Sequence, residues 1–404
     1  MSTPTPPLSR WLTLLMAVAT GIAVASNYYN QPLLHTIAQR FDLSYIQAGS
    51  IVTTAQLSYA AGLLLLVPLG DLLERRRLIV SMSVIAAAGL ALSATATSLP
   101  WLLLGTAMTG LFSVVAQVLV PFAATLAAPE QRGRAVGTVM SGLILGILLA
   151  RTVAGVLSSL GDWRTVYAVA AGLMLATALA LRLALPRYQQ SAGLSYPRLL
   201  GSVFVLLREE PLHRLRTLLG CLGFAVFAVF WTPLAFLLAA EPYGFGDGTI
   251  GLFGLAGAVG ALAANLAGRM ADKGKGSLAT SIGLAAMTLA WLPLAFAQSS
   301  LAALLLGILV LDLAVQLTHV SNQNVVYRLR PEARSRLNAG YMTGYFLGGS
   351  LGSLLSARLY EHFGWTGVSL AGCLLAATAL AVWCLFLLRQ RQARGVSRDH
   401  QRGR

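Results

Sequence analysis

Residues 132–163 read RGRAVGTVMSGLILGILLARTVAGVLSSLGDW, and residues 334–365 read RSRLNAGYMTGYFLGGSLGSLLSARLYEHFGW. Laid one over the other, Arg132 falls on Arg334, Arg134 on Arg336, Gly142 on Gly344, Gly146 on Gly348 and Trp163 on Trp365. The common shift of 202 residues is half of a 404-residue chain. Asp71 and Asp272 repeat at almost the same shift. What recurs is punctuation: a basic pair, small residues at every fourth place, and a tryptophan at the far boundary. Between the marks lies an apolar run of the roughly 20 residues that a helix needs to cross about 30 Å of hydrocarbon. A period this long marks a duplicated structural unit.

Twelve such runs are found across the chain, at about 11–33, 46–69, 78–98, 100–122, 135–158, 165–185, 215–239, 249–270, 277–297, 300–325, 337–358 and 366–388. Their length favours helices, because membrane strands are about ten residues of alternating pattern. Composition agrees. Hydrophobic residues make up 56% and charged residues 11% of the chain, with a mean hydropathy of +0.71. Soluble domains carry about a quarter charged residues. The expected fold is therefore all-α integral membrane, twelve spans in two pseudo-symmetric six-helix bundles. Residues 1–185 form the first bundle, 186–214 a central cytoplasmic loop, 215–388 the second bundle and 389–404 a basic tail. Leu199 to Leu207 is apolar enough for a short amphipathic helix on the membrane surface.

The net charge of +15 does not point to nucleic acid, because the basic residues cluster between the apolar runs. With the N-terminus in the cytoplasm, only Arg40, Arg151, Arg164 and Arg358 of 29 Lys+Arg fall outside cytoplasmic segments. The bias predicts cytoplasmic termini in a bacterial inner membrane. Arg10 followed by Ala23-Val24-Ala25 imitates a signal peptide. The repeat needs this segment as a span, so no cleavage is expected. Cys221, Cys373 and Cys384 lie in apolar runs and read as small core residues. Trp163 and Trp365 read as interfacial anchors.

The loop after the eighth span reads Gly268-Arg269-Met270-Ala271-Asp272-Lys273-Gly274-Lys275. It is similar to the Gly-x-x-x-Asp-basic-x-Gly-basic-basic motif of the major facilitator superfamily, and the resemblance extends over the whole chain. The first half keeps Asp71 and Arg75-Arg76-Arg77, with Val67, Leu72 and Glu74 at the other motif places. Asn27 to Pro32 and the stretch from Asp312 to Tyr345 look like a bacterial, exporter-like branch. The resemblance implies a drug or metabolite:proton antiporter working by alternating access, without a cofactor or metal, in the lipid bilayer and as a monomer. It implies gating roles for Asp71, Arg75, Arg76, Gly268, Asp272 and Lys273. It also implies a cavity lined by spans 1, 4, 7 and 10. The exporter glycine series of span 5 is met by Gly142, Gly146 and Gly155, with Ala150-Arg151 in place of its Gly-Pro. The arginine that exporters carry in span 4 is replaced by Thr106.

The polar residues of those four spans are the candidate site. Span 1 offers Asn27, Asn30 and Gln31, span 4 Ser113 and Gln117, and span 7 Phe227 and Trp231. Asp312, Gln316, His319 and Gln323 recur at i, i+4, i+7 and i+11 on one face of span 10. A polar stripe in lipid must face protein or water. Asp312 and His319 are the candidate proton carriers, with a structural hydrogen-bond network as the alternative. Arg151 faces the cavity as an anion site or pairs with Asp312, or it snorkels to the outer boundary. Gly142, Gly146, Gly155, Gly344, Gly348 and Gly352 form smooth strips for close helix contact. Pro32, Pro121 and Pro233 are expected to kink their spans. These features suit a neutral or mildly amphiphilic solute. Uptake or uniport, and a non-transporting sensor, are the competing readings. A membrane enzyme would need a convergent catalytic set, and of five histidines only His319 is intramembrane.

Overall fold

The computed structural model describes residues 9–189, 195–257, 266–267, 269–270, 273–330 and 333–402. These residues fold almost entirely as helices. We number them α1 (Arg10–Ala25), α2 (Leu34–Phe41), α3 (Tyr45–Leu65), α4 (Arg75–Ala94), α5 (Leu99–Phe112), α6 (Val115–Leu126), α7 (Arg132–Leu160) and α8 (Trp163–Ala184). They are followed by α9 (Tyr196–Glu209), α10 (Pro211–Trp231), α11 (Leu234–Ala239), α12 (Asp247–Ala256), α13 (Gly276–Leu289), α14 (Trp291–Leu294) and α15 (Leu301–Leu329). Arg334–Arg402 is broken at Gly364, whose φ of 58° lies in the left-handed region, into α16 (334–363) and α17 (365–402). Nine described helical segments are long and apolar enough to cross a membrane. The last of these contains both α16 and α17, while span 1 is split into α1 and α2. With α12 opening the eighth, the architecture is a twelve-span helical bundle in two pseudo-symmetric halves.

Local chemistry sets the helix starts. Ser44 and Gln47 form a reciprocal capping box on α3, and the Glu74 carboxylate accepts from the backbone N–H groups of Arg76 and Arg77. Each cap of this kind stabilises a helix by about 1 kcal/mol. Spans 1, 4 and 7 do not run straight. They break at Ser26–Leu33, at Ser113–Val114 and at Thr232–Pro233. Pro32 and Pro233 lie in their breaks, but the span 4 break comes well before Pro121, which stays inside α6. Ser113 Oγ donates to Gly110 O there (3.3 Å), so a side-chain hydroxyl competes for the helix ladder.

Within each half, close crossings hold the helices. A Cβ on Gly142 would overlap the Ala17 carbonyl, and one on Gly146 the Gly21 carbonyl, so α7 lies backbone to backbone on α1. In the second half Gly348 and Gly352 stand in the same way against the Cys221 and Ala225 carbonyls of α10, and Gly344 meets the Thr217 side chain. Gly155 works across the halves: its Cβ would overlap the Asp247 carbonyl at the start of α12.

Three sequence expectations change. Trp163 and Trp365 are buried, not interfacial. Trp365 Nε1 donates to Leu294 O (2.7 Å), and Trp163 packs edge-on against Phe41 and Tyr167. Arg216, counted with the cytoplasmic basic residues at the very start of span 7, is buried inside α10. It donates to Thr280 Oγ1 (2.8 Å) and Asn322 Oδ1 (3.1 Å), over the Trp383 ring. Cys384 is exposed, and Cys221 and Cys373 are half-buried, so none is a core residue.

The end bearing Arg75–Arg77, Arg132, Arg134, Lys273 and Lys275 is called the basic end below, and the opposite end the far end. At the basic end, α9 buries Leu199, Val203 and Leu206. Tyr196 Oη donates from it to Leu65 O (2.7 Å). Arg330 pairs with Glu209 (3.2 Å) and Glu210 (2.6 Å); the hydrogen bond to Glu210 holds its guanidinium more firmly protonated than usual.

Candidate functional site

The breaks in spans 1 and 7 bring unlike residues together deep in the molecule. Arg151 of α7 is 3% exposed and points inward, so it does not snorkel to the boundary. Its Nε donates to Gln31 Oε1 in the broken stretch of span 1. Its guanidinium lies 4.0 Å from the Trp231 ring centre, 5.1 Å from Tyr28 and 5.5 Å from Phe227. Arginine over aromatic faces is attracted by their quadrupoles, by about 2 kcal/mol when desolvated. Trp231 Nε1 donates to Asp312 Oδ1 (3.2 Å). A direct Arg151–Asp312 ion pair, one of the sequence expectations, is not found among the described residues. Trp231 stands between the two charges instead: its face takes the cation and its edge the carboxylate. Arg151 belongs to the first half, and Trp231 and Asp312 to the second.

The remaining candidates fall into separate places. Asn27 and Asn30 are buried beside Gln31, and their Oδ1 atoms have no partner among the described residues. Arg151 Nη2 is likewise without one. Buried polar groups are normally satisfied by protein or water, so these atoms are open to a water or a solute polar group. Gln117 Nε2 donates to Tyr59 Oη (3.5 Å). Gln316, His319 and Gln323 are half-buried along α15 toward the basic end. His319 Nδ1 lies 2.9 Å from Tyr341 Oη and its ring 4.4 Å from Tyr345. Gln323 Nε2 reaches Asn338 Oδ1 (3.5 Å). Asp312 and His319 share a face yet stand about two helical turns, roughly 10 Å, apart. They have different neighbours and do not act as one contact pair.

Sequence reading missed the aromatic wall. Phe346 tilts on Tyr59 at 4.3 Å, and Tyr345 stacks on Phe224 at 4.1 Å. The wall runs from α3 through α16 to α10. Tyr345 and Phe346 flank Gly344, and the repeat drew notice to the glycines alone. Their shared spacing with Tyr341 was the available signal.

Toward the far end the two halves are sealed. Thr36 Oγ1 donates to Asp247 Oδ1 (2.6 Å) and Ser158 Oγ to Asp247 Oδ2 (2.6 Å). Thr152 Oγ1 donates to Gly251 O (3.0 Å), and Ile46 N to Glu361 Oε2 (2.9 Å). Thr53 and Ser353 hydroxyls share a hydrogen bond (2.8 Å). Tyr45 wedges edge-on between Phe236 and Tyr360. At the basic end of α7, by contrast, Gly133 and Gly137 face open space. Replacing Gly155 with valine should force the sealed crossing apart. The labelling rate of a cysteine placed at the half-buried His35 beside the seal is expected to rise several-fold, and an unchanged rate would show the crossing tolerates the branch.

In the basic loops, Asp71 pairs with Arg75 at 3.6 Å. Arg75 also donates to Gly70 O and Thr125 Oγ1, with its guanidinium over Phe122 and Tyr188. Arg76 reaches Leu185 O (3.3 Å), and the Lys273 backbone N–H bonds Arg269 O (3.2 Å). Gly268 and Asp272 lie outside the described residues.

The family profile described as Major Facilitator Superfamily matches residues 16–310 and 274–403. The "Uncharacterized transporter YgaY" of Escherichia coli O157:H7 is 58% identical over 393 residues, covering 97% of this chain and 100% of that protein. The "Probable transporter SCO4007" of Streptomyces coelicolor is 32% identical, covering 94% and 89%. Among solved structures, a bacterial homologue of the human lysosomal transporter Spinster, inward-facing and occupied, superposes with a TM-score of 0.77 at 16% identity. It covers 95% of this chain and 97% of that one.

Proposed function

The chain belongs to the Major Facilitator Superfamily, and from that premise we propose that it exports a small neutral or amphiphilic solute in exchange for protons. Its relatives are named transporters, and it is a transporter rather than an enzyme. In this reading it sits in the bacterial inner membrane as a monomer with both termini in the cytoplasm, and the basic end faces inward. The two bundles (1–185 and 215–388) rock about the central residues, linked by the loop at 186–214 and followed by the basic tail at 389–404.

One observation carries the reading: a buried cation and a buried carboxylate from opposite halves meet on the two sides of Trp231. Intramembrane charges are costly and mark transport or proton pathways. Asp312 takes the coupling proton when the site faces out. It releases the proton when the site faces in and Arg151 is close, and solute and proton occupy the site in turn. His319, held by Tyr341, serves the solute rather than the proton. The uncharged amides of Gln117, Gln316 and Gln323 and the aromatic wall suit a solute with few charges. Asn27 and Asn30 supply acceptors with no partner among the described residues, Gln31 holds Arg151, and Ser113 hinges span 4. The loops at Asp71, Arg75 and Arg76, and at Gly268, Asp272 and Lys273, act as the inner gates. In this reading the hydrogen-bonded far end corresponds to the inward-facing member of the cycle.

The test is proton flux in energised inside-out vesicles containing the protein, followed with a pH-sensitive dye while a small-molecule library is added. Proton release with some compounds supports antiport and identifies the solute class. A flat trace with all compounds, together with labelled-solute uptake in whole cells, would replace export by import.

A further inference from the structure

We propose that Asp247 is the latch that holds the far end closed, a gating role for a residue outside the central site. The inference rests on the alternating-access reading above. Asp247 is the first residue of α12, where its carboxylate also faces the positive end of the helix dipole. Both of its oxygens are used, and both donors come from the other half. Thr36 belongs to α2, the outward continuation of span 1, and Ser158 to α7, the fifth span. One carboxylate thus ties spans 1 and 5 to span 8. Hydroxyl-to-carboxylate hydrogen bonds are among the stronger kind, and both measure 2.6 Å.

The surroundings show why this point decides closure. Gly155, Gly248 and Gly251 let the two backbones meet beside Asp247; a Cβ on Gly251 would come within 2.6 Å of Arg151 O. That carbonyl belongs to the same Arg151 that stacks on Trp231. Ser158 of the latch and the central Arg151 are therefore on one helix, α7, whose roughly eight turns connect the far end to the basic end. Beside the latch lies a cleft of about 740 Å³, open to the far side, lined by His35, Gln39, Val156, Phe245 and Leu252. Water in this cleft reaches Asp247, which is half-exposed. When the halves part, the carboxylate exchanges two hydroxyls for water, and no unpaired charge is left buried. Removing it therefore weakens only the closed state. A ligand or mutation with such a differential effect must shift the two-state population.

The experiment measures distances between spin-label pairs in the purified full chain, with Cys221, Cys373 and Cys384 replaced by serine. One pair, at Leu160→Cys and Gln298→Cys, spans the far end. The other, at Arg132→Cys and Lys275→Cys, spans the basic end. In Asp247→Ala the far-end-open population should rise by at least about tenfold relative to wild type, with the basic-end distance shortening in step. The double variant Thr36→Val/Ser158→Ala should do the same with the carboxylate intact, while Thr36→Ser should match wild type. General loss of packing would broaden both distances instead of moving them in opposite directions. Unchanged distributions in Asp247→Ala, or unchanged ones in the double variant, overturn the latch. The distances need no solute, so the latch and the antiport reading can fail separately.

Discussion

Asp312→Asn is expected to reduce proton-driven transport at least tenfold while solute exchange without a proton gradient persists. The amide mimics the protonated carboxyl in size and still accepts from Trp231 Nε1, so the hydrogen bond at 3.2 Å can survive. What the variant cannot do is release a proton. A carrier locked in the proton-loaded form can still rock with solute bound, because alternation and coupling are different free energies. Counterflow of labelled against unlabelled solute in proteoliposomes measures the first, and dye-reported proton movement the second. Loss of both would mean that Asp312 holds the structure rather than the proton. Retention of both would remove it from coupling.

Trp231→Ala carries the second large effect, this time on stability. Trp231 is 3% exposed, and its ring faces Arg151 and stacks near Phe227 and Phe230. Truncating a packed tryptophan in a core costs about 3–5 kcal/mol. Here the guanidinium also loses its aromatic face and Asp312 loses its donor. Trp231→Phe narrows these contributions, since a six-membered aromatic face remains while the pyrrole ring and its N–H go; its expected loss is smaller, with about 1–3 kcal/mol of it from the buried Asp312 acceptor left unpaired. Denaturant unfolding in detergent micelles, run on both variants, gives the two numbers. An alanine variant as stable as the phenylalanine one would mean that the stacking contributes nothing.

The twelve-span fold was legible in the sequence because its signal is local and repeated. Apolar runs, basic loops and the shift of 202 each constrain the same topology. The four polar spans were legible for the same reason: Asn27, Gln31, Trp231 and Asp312 are conspicuous in lipid whatever their neighbours. What they touch was not legible. Arg151 and Asp312 invite a direct ion pair by charge alone, and the indole between them is a product of packing between helices that no periodicity encodes. Asp247 reads locally as an ordinary acidic residue in a first helical turn. Its meaning depends on Thr36 and Ser158, which are 211 and 89 residues away. Trp163 and Trp365 show the converse error: position near a span end suggested lipid, but the neighbouring spans cover them. Arg216 shows it again, since its charge counted it with the cytoplasmic segments and Thr280, Asn322 and Trp383 gave it a home inside the bundle.

The length of α7 has a consequence for how opening proceeds. At 29 residues it is a rod of about 43 Å, pivoting near its middle. A tilt of roughly 10° about that fulcrum carries each tip by about 4 Å, given that length. The hydrogen bonds that α7 itself makes to the other half, Thr152 to Gly251 O at 3.0 Å and Ser158 to Asp247 at 2.6 Å, tolerate only a fraction of that travel. A rod this stiff cannot peel from its neighbours one bond at a time. The seal must let go as a unit, which makes the gate a toggle rather than a dimmer and leaves little room for a state leaky at both ends.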